Sequence, residues 1–142
     1  MTRLAVLVAL AGCSGDTFQV ALCPAPPIAN ETGFLAGVRS LRMTYSQVED
    51  GTVVSQSVEV DEVDGFVTTD VVESGADLQV LAEGFSEPPG AIDDDSRILI
   101  GSTLEPVPVD GLRAVCVCMS APDRWAEDCD VACQYTAGKC QF

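Results

Sequence analysis

Seven cysteines and no histidine in a chain of 142 residues constrain this sequence more than any other feature. Cys116, Cys118, Cys129, Cys133 and Cys140 crowd the C-terminal end, while Cys23 and Cys13 lie far upstream. An even set of cysteines in an oxidising compartment reads as a disulfide framework, so an odd count leaves one sulfur to be explained separately. Val115 to Met119 alternates as a strand does, which puts Cys116 and Cys118 on one face about 6.5–7 Å apart. That exceeds the Cβ separation of about 3.5–4.5 Å that a disulfide needs. Cys129 and Cys133 have the i, i+4 spacing of a helix, about 6 Å apart, and are also too far to pair. With Cys13 set aside, six cysteines allow about 15 connectivities, and excluding those two local pairs leaves about ten. The favoured scheme runs from Cys116 and Cys118 to two of Cys129, Cys133 and Cys140, with Cys23 taking the third bridge.

Lack of histidine removes Ser-His-Asp and Cys-His catalysis and the commonest metal ligand. Zinc would call for paired C-x2–4-C knuckles, whereas the spacings here are C-x-C and C-x3-C. A redox role for Cys116 and Cys118 is the enzymatic alternative, but only Arg113 lies nearby to lower a thiol pKa. Structural disulfides are the expected reading, and a non-enzymatic protein with them.

Cys13 is set apart by what precedes it. Arg3 is followed by the apolar run Leu4 to Ala9 and then by Leu10-Ala11-Gly12-Cys13, the order of parts in a secretory signal. The plainer reading of that run is a buried strand, against which stand its position at the very start and the polar Ser14-Gly15-Asp16 after it. Leu10-Ala11-Gly12-Cys13 resembles the lipobox of bacterial lipoproteins. The resemblance implies removal of residues 1–12 and a covalent lipid such as palmitate on Cys13. It also implies attachment to the bacterial cell envelope through that lipid alone, and Ser14 by the same resemblance implies the outer membrane. Lipidation would account for the odd sulfur, leaving Cys23, Cys116, Cys118, Cys129, Cys133 and Cys140 to pair. A second apolar run of about 18 residues, long enough to span a bilayer, does not occur.

Residues 1–12 carry Arg3 and no acid, so the remainder holds 6 basic against 22 acidic groups, a net charge near −16. Such a surface repels nucleic acid and anionic headgroups. An envelope protein or polysaccharide is the expected kind of partner.

Residues 13–16 form a short tether, and 17–119 read as one domain of short strands. Phe18, Val20 and Leu22 alternate with polar or small residues, as do Leu41, Met43 and Tyr45, then Val54 and Val58, then Leu78, Val80 and Ala82. Glu49-Asp50-Gly51 and Asp64-Gly65 mark turns, and Pro106 and Pro108 restrict Val107 to an edge or a loop. About seven or eight strands at this spacing predict an antiparallel β-sandwich. The stretches Phe34 to Val38, Leu41 to Met43, Leu78 to Val80 and Glu83 to Phe85 resemble an immunoglobulin-like module of bacterial lipoproteins, which implies a fold and an anchored location and brings no catalytic residues. From 120 to 142 a Cys-rich extension is expected to hold a short helix over Ala121–Gln134, with Ser120 as its N-cap and Trp125 facing inward.

Asp93-Asp94-Asp95 and Glu59 with Asp61, Glu62 and Asp64 are the densest acidic groups. Solvated loop charge is the ordinary reading of such runs. Calcium, bound by hard oxygens from loops, is the functional alternative, although neither group matches a D-x-[DN]-x-[DN]-G loop. Asn30-Glu31-Thr32 matches a glycosylation pattern that a lipobox-bearing chain would not use.

Overall fold

The computed structural model describes residues 18–28, 35–59, 66–69, 77–108, 115–137 and 139–142. Cys13, the glycosylation-like Asn30 and the acidic Asp61, Glu62 and Asp64 lie outside them.

The strands are β1 (Phe18–Pro24), β2 (Ser40–Gln47), β3 (Val53–Glu59), β4 (Phe66–Thr69), β5 (Asp77–Phe85), β6 (Arg97–Ser102), β7 (Val107–Pro108) and β8 (Val115–Ser120). Their formation follows the period-2 pattern: Leu41, Met43 and Tyr45 of β2 and Leu78, Val80 and Ala82 of β5 are fully buried, and the residues between them are not. Between β2 and β3 the chain reverses at Asp50-Gly51, where Gly51 takes φ +72°. The Asp50 carboxylate accepts the Thr52 N–H at 2.9 Å, and the bonds from Thr52 hold it below its ordinary pKa.

Hydrogen bonding runs unbroken through β3-β2-β5-β6-β8-β1-β4, with β7 added to β5. β1 pairs β4 antiparallel but β8 parallel, so the sheet is mixed, where an all-antiparallel one was expected. Each edge contributes to one core: Val67 of β4 and Val58 of β3 join the cluster of Val20, Leu41, Val80 and Met119. A sheet whose opposite edges share a core must curl upon itself. Burial of each such side chain contributes roughly 1.5–3 kcal/mol before the entropy of ordering is set against it. β7 is the two-residue edge that Pro106 and Pro108 led one to expect, pairing at Asp77 and Leu78.

Among the described glycines Gly101 has the least room for a side chain. It lies opposite Met119 on β8, and a Cβ there would come within 2.5 Å of the Cys118 carbonyl oxygen and 2.6 Å of Val117 Cγ1. On the face turned away from the core, Glu83 is buried between two guanidinium groups. Its carboxylate receives Arg42 at 3.0 Å and Arg97 at 2.9 Å, and Arg42 also stacks 5.0 Å from the centre of the Phe85 ring.

The expected helix over Ala121–Gln134 is reduced to a single turn, α1 (Trp125–Asp128), followed by a hairpin of β9 (Gln134–Thr136) and β10 (Lys139–Gln141). Ser120 explains the difference. Instead of capping a helix it is the last, buried residue of β8, and Arg124 stands at the cap position, where its side chain accepts no bond from the backbone N–H groups of the turn. An uncapped helix this short has no intrinsic stability. Among the described residues no helix is long and apolar enough to cross a membrane.

Candidate functional site

Alternation along β8 sends Val115, Val117 and Met119 into the core and Cys116, Cys118 and Ser120 to the opposite face. β1 does the same, burying Val20 and Leu22 in the core and turning Cys23 outward. Because β1 and β8 are parallel neighbours, with Cys23 beside Cys118, three cysteines gather on one outer patch of sheet. The segment after Ser120 covers that patch. It is fastened by Cys23–Cys140, Cys116–Cys133 and Cys118–Cys129, each with its Cα atoms 5.8 Å apart. These bridges take the strand-to-tail form that the spacing favoured and leave neither local pair.

Two layers result. Cys118–Cys129 lies in a small apolar cluster with Ala25, against which Ile28 and Trp125 pack. Trp125 is oriented by its indole N–H, which donates to the Cys118 carbonyl at 3.0 Å. The other two bridges lie side by side: Cys23 Sγ and Cys116 Sγ are 3.3 Å apart, and both lie within 4.8 Å of Cys133 Sγ. This trio is the group of ligand-type atoms that the described residues bring together. As disulfide sulfurs they are not thiolates, the form that binds metal.

Beside the Cys116–Cys133 bridge opens a groove of about 320 Å³. It is lined by the stretch from Ser102 to Val107, by Val131 to Cys133, and by Cys116 and Cys118. Leu104 and Val131 expose apolar surface at its sides.

The tail is also tied polar-to-polar. The Ser120 hydroxyl donates to Asp128 Oδ2 at 2.7 Å, and Arg124 donates to the same carboxylate at 3.2 Å. The Ser120 bond first, and the Arg124 guanidinium next, hold Asp128 below its ordinary pKa of 3.8. A carboxylate whose folded pKa is depressed adds stability that is complete above its unfolded pKa and is lost as pH falls through the folded one. Thermal melts taken from pH 5 down to pH 2.5 are therefore expected to show part of the acid-side loss of stability disappear in Asp128→Asn. Equal pH slopes in the two proteins would rule this contribution out.

Asp93, Asp94 and Asp95 do not converge on a common point. Asp93 Oδ1 accepts the Ser96 N–H at 2.9 Å, capping the 3-10 turn Asp94–Ser96, while Asp94 and Asp95 are exposed. Glu59 ends β3, also exposed. The groove and the Ser120–Asp128 bond were missed in reading the sequence, because both depend on where the tail lands. The outward direction of Cys23 had a signal, the alternation of Val20 and Leu22.

No protein-family model, curated protein or solved structure matches this chain.

Proposed function

We propose that the protein is a lipoprotein of the bacterial envelope, anchored through acylated Cys13 in the outer membrane, with a non-catalytic binding or structural role toward an envelope protein or polysaccharide. One observation carries the reading: three bridges use six of the seven cysteines, so the sulfur left over is the one that follows Leu10-Ala11-Gly12. A lipid thioether there leaves no free thiol in an oxidising compartment. Two or three acyl chains on such a residue suffice for stable anchoring, whereas one does not. The acidic charge of −15 disfavours nucleic acid and makes the anchor, not the domain surface, the contact with anionic lipid. An immunoglobulin-like topology for the curled sheet belongs to the same proposal.

The thiol-redox alternative centred on Cys116 and Cys118 is disfavoured by their separate partners, Cys133 and Cys129. Metabolic labelling with palmitate in a bacterial host tests the anchor. Label is expected on the wild-type chain and none on Cys13→Ser, with the wild type partitioning into the detergent phase. An unlabelled wild-type chain, or a mature N-terminus other than residue 13, would overturn the reading.

A further inference from the structure

We propose that Cys133, Cys116, Cys23 and Cys140 form a thiol–disulfide exchange site, at which a small thiol reaching the groove moves the two adjacent bridges into a second pairing. This is independent of the anchor on Cys13. Three observations converge on it. Cys116–Cys133 lies against an open groove of about 320 Å³, and both its residues are only half-buried. Behind it the fully buried Cys23 presents its sulfur 3.3 Å from Cys116 Sγ. The third bridge, Cys118–Cys129, borders the same groove and touches Cys133, but it is only 4% and 2% exposed and its sulfurs are not among the three that lie within 4.8 Å of one another, so it keeps the tail in place while the others exchange.

Exchange proceeds by attack of a thiolate on a disulfide sulfur through a mixed disulfide. A thiolate RS⁻ from the groove attacks Cys133 Sγ; an R–S–S bond to Cys133 forms, the Cys116–Cys133 bond breaks, and Cys116 leaves as thiolate. That thiolate is already in contact with Cys23 Sγ. Its attack forms Cys23–Cys116 and releases Cys140 as thiolate; because Cys23 is registered with Cys118, this diagonal bond requires a local backbone shift of β1 against β8. Cys140 then attacks Cys133 Sγ, forming Cys133–Cys140 and returning RS⁻. No net oxidation or reduction occurs, and the thiol is recovered. The product links β1 directly to β8, and it leaves the β9–β10 hairpin tethered to the sheet by Cys118–Cys129 alone. Attack starting at the half-buried Cys140 runs the same steps from the other end and reaches the same product.

Cysteamine is a suitable probe, because its positive charge suits a chain of net charge −15. The folded full chain is incubated with a limiting amount, quenched in acid, alkylated and mapped by tandem mass spectrometry. The expected trapped species carries a Cys23–Cys116 bond, with cysteamine on Cys133 and alkylation on Cys140, or the two exchanged. Cys118–Cys129 is expected intact. Alkylation on Cys116 with Cys23–Cys140 unbroken would mean simple reduction and would overturn the proposal. A completed exchange, with Cys23–Cys116 and Cys133–Cys140 bonded and no adduct, supports the proposal equally, whereas preferential opening of Cys118–Cys129, or the three original bridges unchanged, would overturn it.

Discussion

Replacing Cys23 and Cys140 together by alanine is expected to lower stability by about 5 kcal/mol, the largest loss from removing any one bridge. The size of the loop that each bridge closes sets the difference. This bridge joins residues 117 apart, and even with Cys116–Cys133 in place the path from Cys23 to Cys140 runs through about a hundred residues. Closing a loop of that size in the unfolded chain removes most of the entropy a disulfide can remove. Cys118–Cys129 closes 11 residues inside the 17 that Cys116–Cys133 spans, so with either bridge in place the other adds only a small further loop, and removing either one should cost about 2 kcal/mol. Urea unfolding of the three double-alanine proteins checks the order. Equal midpoints across the set would refute the loop account.

Gly101→Ala is the second large effect. An added methyl group would press on a main-chain carbonyl at 2.5 Å and on Val117 at 2.6 Å, and a carbonyl inside a paired strand cannot rotate aside. Overpacking of a well-filled core costs about 1–3 kcal/mol, occasionally more, and a clash with backbone belongs at or above the upper end. A fall in the melting midpoint of about 10 °C or more is expected. Gly90→Ala, where a Cβ would meet nothing within 4 Å, is the matched control and should leave the midpoint nearly unchanged. A Gly101→Ala protein as stable as that control would mean that β6 and β8 are further apart than the sheet described here.

Much of the sheet was legible because a strand with one buried face announces itself by alternation, as in Leu41-Arg42-Met43 and Leu78-Gln79-Val80. The cysteine scheme was legible for a related reason: neighbours on one strand face are too far apart to bond, so Cys116 and Cys118 had to look elsewhere. Choosing among Cys129, Cys133 and Cys140 was not legible, since it depends on the path of the tail. The helix expectation failed at one residue, Ser120, whose hydroxyl suits a cap equally well as it suits Asp128. Nor does local pattern reveal that β1 lies between β8 and β4, because both neighbours come from distant parts of the chain. Glu83 between Arg42 and Arg97 was hidden likewise, as its partners come from two other strands.

That placement of β1 governs the order in which the protein can assemble. β1 precedes all other described strands, yet its hydrogen-bonding partners are residues 66–69 and 115–119, and the mate of Cys23 is residue 140. During synthesis β1 must wait, one edge unpaired, until residues 115–119 have emerged. Contacts of such long sequence separation make folding slow and leave strand edges open to other chains meanwhile. Any bond that Cys23 makes before residue 140 arrives is a wrong one, to be undone later. For this molecule residues made more than ninety positions after β1 are the ones that let it settle.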